Sequence, residues 1–475
     1  MVFSGLIFLY LFLPLCVLLY FLVRSPQAKN IVLIAASLFF YAWGEPVYVL
    51  LLVAAAAMNF GFGLVLGKYR QHKFSRLLFA FCIAADLLSL VVFKYAGFLV
   101  QTVNQVFTAA LPVPSLRLPI GISFYTFQVL SYVIDVYRGK VEKQTRFLDF
   151  LLYVSLFPQL IAGPIVRYSD ISRQLQSRQI SPDYIFYGVF RFCAGLGKKV
   201  LLANYAGKAA SLLLDGNPGG ATTAGLWLGM LLFAFEIYFD FSGYSDMAIG
   251  LGRIFGFKFE YNENFNLPYC ANSITNFWRR WHISLGSFFR DYVYIPMGGN
   301  RRHQLLNLLV VWSLTGLWHG ASWNFLLWGL YFFVLLCIEK KCRKWLERVP
   351  DAVRVAFTFL LVVLGWTFFY YTDLTKLFVS LKLMLGFGTI STQSVAIVLQ
   401  NNLPLILVCI IGCTPLPKML GLFLGSVSAE GTPQQVAAKQ TAYTIGVFLF
   451  DLVVLFLCTV SLVGSTYNPF LYFRF

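Results

Sequence analysis

The sequence predicts an all-α polytopic integral membrane protein, a bundle of about 11 to 13 transmembrane or re-entrant helices. Three observations carry that prediction. Of 475 residues, 59% are hydrophobic and 12% charged, against about 25% charged in soluble proteins. Apolar runs of about 20 residues, enough to cross a hydrocarbon core of about 30 Å, follow one another along the chain. The basic residues behind a net charge of +17 sit mostly in short loops between those runs, which is the orientation signal of a membrane protein and not the mark of a nucleic-acid surface. The lipid bilayer is therefore an expected partner and nucleic acid is not. Attraction of an anionic cytosolic ligand is a second use of the same charge and stays open.

In chain order the spans fall at 2–23, 31–44, 46–66, 77–98, 119–137, 147–165, 184–214, 222–250, 305–319, 322–339, 352–371, 402–424 and 440–463. The first lacks a basic n-region and an A-x-A cleavage site, so it reads as a retained helix. The loop 67–76, "GKYRQHKFSR", is strongly basic and is expected in the cytoplasm, as is the stretch from Arg24 to Lys29 two spans earlier. This places the N-terminus outside. Arg253, Lys258, Arg279, Arg280, Arg290, Arg301 and Arg302 in segment 252–303 fall on the cytoplasmic side too, with "KKCRKWLER" at 340–348. No repeat, low-complexity segment or long linker divides the chain, so 1–475 reads as a single membrane domain. Nine scattered cysteines, Cys337/Cys342 and Cys409/Cys413 included, lack metal-type spacing, and neither a disulfide nor a metal site is assigned.

Segment 272–295, "NSITNFWRRWHISLGSFFRDYVYI", is too polar to cross. Its apolar residues Ile274, Phe277, Trp278, Trp281, Leu285, Phe288 and Tyr292 follow helical spacing, which predicts a basic amphipathic helix at the interface or tucked into a cytoplasmic cavity. His282 falls on the flank of the stripe, about 80° from its centre at 100° per residue. It faces either headgroups or a protein pocket.

Of the four histidines, His72 and His303 lie in basic loops and read as surface residues. His319, in "LTGLWHGASWNF" (314–325), is different. It follows Leu305, where its span begins, by 14 residues, about 21 Å of helix and short of a full crossing. The turn "HGAS" then starts a second short helix, so His319 lies within the membrane profile, where a polar side chain is by default a functional-site hypothesis. The bland alternative is a histidine hydrogen-bonded to a neighbouring helix. Span 222–250 carries Glu236 and Asp240 one turn apart, then Asp246. These are either a proton or cation relay of a flippase-type transporter or, as preferred here, structural acceptors that hold the bundle together. Asp135 and Arg138 are placed to pair near a span end. No G-x-S-x-G elbow, Walker A loop or dinucleotide fingerprint is present, so an enzyme here must use its few histidines.

"FWRRWHISLGSFFRDYVYIPMGGNR" (277–301) followed by "LTGLWHGASWNF" resembles the membrane-bound O-acyltransferase family. Three further blocks fit: "LPIGISFYTFQVLSYVIDVYRG" (118–139), "FPQLIAGPIVRYSDI" (157–171) and "YFDFSGYSDMAIGLGRIFGF" (238–257). The opening "MVFSGLIFLYLFLPL" and closing "NPFLYFRF" are similar to the family's bacterial branch that O-acetylates polysaccharides such as alginate. The resemblance spans nearly the whole chain, with a signature core at 118–339. The D-alanine-transferring branch shares F-W-x-R-W-H and F-R-D-Y, but "YIPMGGNR" is closer to the polysaccharide branch.

The resemblance implies helices packed around a thin central region with a funnel or tunnel joining the two faces, and cytoplasmic amphipathic helices beside it. It implies His319 as the catalytic histidine of W-H-G and His282 as the second histidine, in F-W-R-R-W-H. It also implies acetyl-CoA as cytoplasmic acyl donor, a bacterial cytoplasmic-membrane location, and an extracytoplasmic partner of the SGNH-hydrolase type that passes acetyl to a polysaccharide acceptor. No metal is implied. A hydroxyl needs a base with a pKa near the working pH, which histidine supplies. Guanidinium forks suit the phosphates of coenzyme A, although the orientation rule alone accounts for the arginines.

Overall fold

The computed structural model describes residues 1–161, 163–216, 221–259, 263–428 and 432–464. The closing "NPFLYFRF" (468–475) lies outside the described residues. The helices are α1 (Phe8–Leu22), α2 (Pro26–Ala42), α3 (Tyr48–Tyr69), α4 (Ser75–Phe107), α5 (Ile122–Arg138), α6 (Phe147–Ser155), α7 (182–214), α8 (Thr223–Ile254), α9 (Ile274–Trp278), α10 (Ile283–Phe289), α11 (Gln304–His319), α12 (Trp323–Leu346), α13 (Asp351–Tyr370), α14 (Leu374–Met384), α15 (Gln393–Gly412), α16 (Leu416–Val427) and α17 (Pro433–Val463). Among the described residues there is no strand, only an isolated bridge between Phe265 and Trp281. Six helices (α3, α4, α8, α13, α15 and α17) are long and apolar enough to cross a membrane. The chain is an all-α multi-pass membrane protein.

Starts and stops follow local chemistry. Ser25, Ser181 and Thr222 accept hydrogen bonds from the first-turn amides of α2, α7 and α8, donors that a helix leaves unpaired. Gly139 closes α5 at φ +72°, a left-handed position where a side chain is strained.

Two expectations change in detail. The stretch 147–165 is not a continuous span: α6 stops at Leu156, Phe157–Leu160 adds one turn, and Gly163-Pro164 leads away as irregular chain. Phe150, Tyr153, Leu156, Phe157 and Leu160 are completely buried, so protein surrounds this re-entrant piece, the condition for irregular backbone inside a membrane. The span expected at 402–424 starts at Gln393 and breaks at Thr414-Pro415, because a residue preceding proline is pushed out of the helical region.

α8 is the axis of the core, with 78% of its most apolar window buried against 17% for α15 and α17. Its neighbour α7 approaches it backbone to backbone. A Cβ at Gly195 would sit 2.5 Å from the Gly243 carbonyl oxygen, and one at Gly250 2.5 Å from that of Gly188. Two carboxylates of α8 bind α7 through ion pairs, Asp240 to Lys199 at 2.6 Å and Asp246 to Lys198 and Arg191 at 2.6 and 2.9 Å. Removing one partner of such a buried pair costs about 3–5 kcal/mol. These pairs favour the structural reading of Asp240 and Asp246. Asp135 pairs with Lys140 at 3.7 Å and accepts from the Tyr292 hydroxyl at 2.8 Å, whereas Arg138 donates to the Asp291 carbonyl. The expected Asp135–Arg138 pair does not form, since the turn at Gly139 carries Lys140 back instead. α11 and α12 form a tight hairpin: a Cβ at Gly316 would lie 2.3 Å from the Phe325 carbonyl oxygen, and one at Gly329 2.3 Å from that of Trp312.

Candidate active site

His319 is the last residue of α11, which stops because Gly320 turns to extended backbone. Its side chain is buried among aromatic rings, 5.0 Å from Trp318, 5.0 Å from Trp328 and 5.1 Å from Phe369 between ring centroids. Such a nest fixes the ring and excludes water without competing for its nitrogens.

His282 reaches the same place from another part of the fold. The expected amphipathic helix over 272–295 is not one helix: α9 ends at Trp278, and α10 starts at Ile283. Between them His282 is held at φ +45°, a strained conformation for a non-glycine residue. The break is imposed from a distance in sequence. The Phe265–Trp281 bridge precedes it, and Asn264 then accepts the Ile283 amide on its carbonyl and the Ser284 amide and hydroxyl on its side chain. These bonds turn the imidazole inward, 4.7 Å from the Phe241 ring and 5.6 Å from the Trp318 ring. His282 is only 2% exposed, and neither ring nitrogen has a hydrogen-bond partner among the described residues. Two buried nitrogens kept away from protein partners are available to a ligand. The flanking segment is tucked into protein, with Phe277, Trp281, Leu285 and Phe288 buried.

The two histidines thus converge on one indole, that of Trp318. Each also opens onto its own chamber. A cavity of about 1290 Å³ on the basic face reaches His282, with Arg279, Arg290, Lys340 and Arg343 among its lining residues. A second, of about 440 Å³, is lined by Glu45, Lys94, Arg117, Ser123, Trp318 and His319. Glu45 and Arg117, joined at 3.2 Å, belong to the connections at the opposite ends of α2 and α4 from the basic loops. His72 and His303 are exposed, as expected of surface residues.

Sequence reasoning missed Lys94 and Tyr95. The Lys94 amino group donates to the Trp318 carbonyl and, at 3.3 Å, to the Ser123 hydroxyl, and the Tyr95 hydroxyl donates to the Leu317 carbonyl at 2.7 Å. The signal was present: "VVFKYAGF" puts a lysine inside an apolar span, which is itself a functional hint. Among the described residues no three His, Cys, Asp or Glu side chains gather as a metal site would. The basic side chains of the larger chamber suit a phosphate-bearing substrate: Arg290 pairs with Asp291 at 2.7 Å and Arg343 with Glu347 at 2.8 Å, while Arg279 is exposed on the chamber wall.

A family model for the membrane-bound O-acyltransferases matches residues 140–381, which include both histidines. The probable alginate O-acetylase AlgI of Pseudomonas aeruginosa is 42% identical over 400 residues, covering 82% of this chain and 76% of that one. A protein of the same description from Pseudomonas putida is 38% identical over 494 residues and 100% of both chains. The peptidoglycan O-acetyltransferase of Helicobacter pylori is 34% identical over 431 residues, 82% of this chain and 81% of that one. The chain belongs to the membrane-bound O-acyltransferase family and is an O-acyltransferase.

Proposed function

We propose that this protein moves an acetyl group from acetyl-CoA, entering the basic-face chamber from the cytoplasm, to a hydroxyl presented in the smaller chamber, for O-acetylation of a cell-surface polysaccharide. The observation that carries the reading is the pair of buried histidines that both pack against Trp318, each lining a separate chamber. The names of the similar proteins, which act on alginate and peptidoglycan, support the polymer class.

In this reading neutral His319 removes the proton of the acceptor hydroxyl while its oxygen attacks the thioester carbonyl. The tetrahedral intermediate collapses as the C–S bond breaks, and the proton passes to the departing coenzyme A thiolate. His282 donates to the developing oxyanion or holds the thioester, which its unpartnered nitrogens permit. Arg279 and its basic neighbours hold the coenzyme A phosphates. The acceptor hydroxyl belongs to an extracytoplasmic partner of the SGNH-hydrolase type, which passes the acetyl to the polymer, and the membrane is the bacterial cytoplasmic membrane.

The test is reconstitution of the full chain in lipid vesicles with acetyl-labelled acetyl-CoA on one side. Label is expected on a partner protein or polymer supplied on the other side. Label that stays on coenzyme A in the presence of a co-purifying partner and polymer overturns the proposal.

A further inference from the structure

The last four carbonyls of a helix have no partner within it, and for α11 these are Gly316 to His319 at the depth where bulk water is absent. Two of them are met by consecutive side chains of a π-helical segment, Val91–Tyr95, set inside α4. Tyr95 takes the Leu317 carbonyl and Lys94 takes that of Trp318, the peptide that leads directly into His319. Lys94 also reaches Ser123 in the first turn of α5, and Phe98, one turn on, packs on Trp323 at the start of α12 with centroids 5.5 Å apart. The Lys94 side chain therefore ties together two helix ends, of α11 and α5, beside the smaller chamber, which it also lines.

A lysine is a costly way to do this. Both partners are neutral, and an amino group buried in a membrane is expensive unless it has a task. A π-helical turn within an α-helix is itself a recurrent feature of functional sites. The basic-face chamber does not include Lys94 among its lining residues.

We infer that Lys94 is a positioning residue of the acyl-transfer step: by holding the Trp318 carbonyl it fixes the peptide that aims the His319 ring at the acceptor hydroxyl, an inference that rests on His319 being the base. A displacement of about 1 Å in a catalytic group costs on the order of 100-fold. Lys94→Met, which keeps the stem and removes the donor, is expected to lower kcat by about 10- to 100-fold while KM for acetyl-CoA stays within about twofold, because the donor occupies the other chamber. Lys94→Arg, which offers an N–H to the same carbonyl, is expected to recover most of the loss. Tyr95→Phe removes only the hydroxyl on Leu317 and is expected to show the same kcat-only pattern at about two- to fivefold.

These variants are measured as full-length protein in vesicles, beside His319→Ala. Unchanged kcat in Lys94→Met overturns the inference, and so does an equal loss in Lys94→Met and Lys94→Arg accompanied by a lowered melting temperature. If Lys94→Met fails to fold, Tyr95→Phe decides: wild-type kcat overturns the inference, a kcat-only loss supports it. An active His319→Ala instead overturns the assignment of the base.

Discussion

The chamber lined by His282 and the chamber lined by His319 are built from different materials. The larger is rimmed by charge: Arg279, Arg290, Lys340, Arg343 and Arg354 line it, several of them paired to acids. The smaller, formed mainly by residues 117–124 with Trp318 and His319, carries the Glu45–Arg117 ion pair and Lys94, whose amino group meets neutral partners. A wall of paired charges suits recognition of a large, phosphate-rich molecule that arrives and leaves. A wall with one fixed amino group suits the positioning of a small reacting group. The comparison assigns binding to one side and timing to the other, and each assignment is open to measurement.

The largest effect is expected at the histidines themselves. His319→Ala should lower kcat by about 10² to 10⁴-fold, the usual worth of a general base, with the purified variant assembled as in the wild type; near-normal turnover would remove the base from the comparison. His282→Ala should cost about 10²-fold, the low end for loss of an oxyanion donor. Steady-state transfer assays over a range of acetyl-CoA concentrations distinguish this from a pure binding defect. Arg279→Gln, on the wall of the larger chamber, should raise KM for acetyl-CoA by about 10-fold, as for a lost charged hydrogen bond, and leave kcat alone. A fall in kcat without a change in KM would break the division of labour.

The smallest effect concerns acid. Burial opposes the Asp291 charge, but hydrogen bonds from Arg290 and Arg167, the latter at 2.9 Å, hold its carboxyl below the ordinary carboxylate range. A group depressed in the folded chain stabilises fully above its unfolded pKa of about 3.9, and that contribution disappears as the pH falls through the lower folded value. Asp291→Asn should therefore melt lower than wild type by on the order of 2 °C at pH 7, with the gap closing below about pH 4. A gap that does not narrow at all as the pH falls below about 4 would assign the effect to packing.

Much of this was legible in the sequence, and the rest was not, for identifiable reasons. Composition and the length of apolar runs gave the fold class, and counting residues from Leu305 singled out His319, which ends α11 as a buried side chain. Those are local properties. The convergence of His282 and His319 is not local, because it depends on Asn264 breaking a helix that residues 272–295 favour by themselves. The amphipathic pattern was real, and Phe277, Trp281, Leu285 and Phe288 are indeed buried, but the pattern cannot register a kink fixed by hydrogen bonds from a preceding loop. For Asp240 and Asp246 the sequence favoured the lock over the relay but could not name the partners, Lys199 for the first and Lys198 with Arg191 for the second. Lys94 escaped notice because a single lysine barely dents the hydropathy of a 33-residue apolar helix.

The hairpin of α11 and α12 has a consequence beyond packing. Gly316 and Gly329 press backbone on backbone, so neither helix can slide without a clash, and His319 is held about 22 Å along α11 from its first residue, Gln304. The hairpin acts as a depth gauge. A donor qualifies only if its thioester rides on an arm slender and long enough to reach that fixed level, however well its headgroup is bound at the rim. In the proposed function, substrate choice is thereby a matter of reach before it is a matter of affinity.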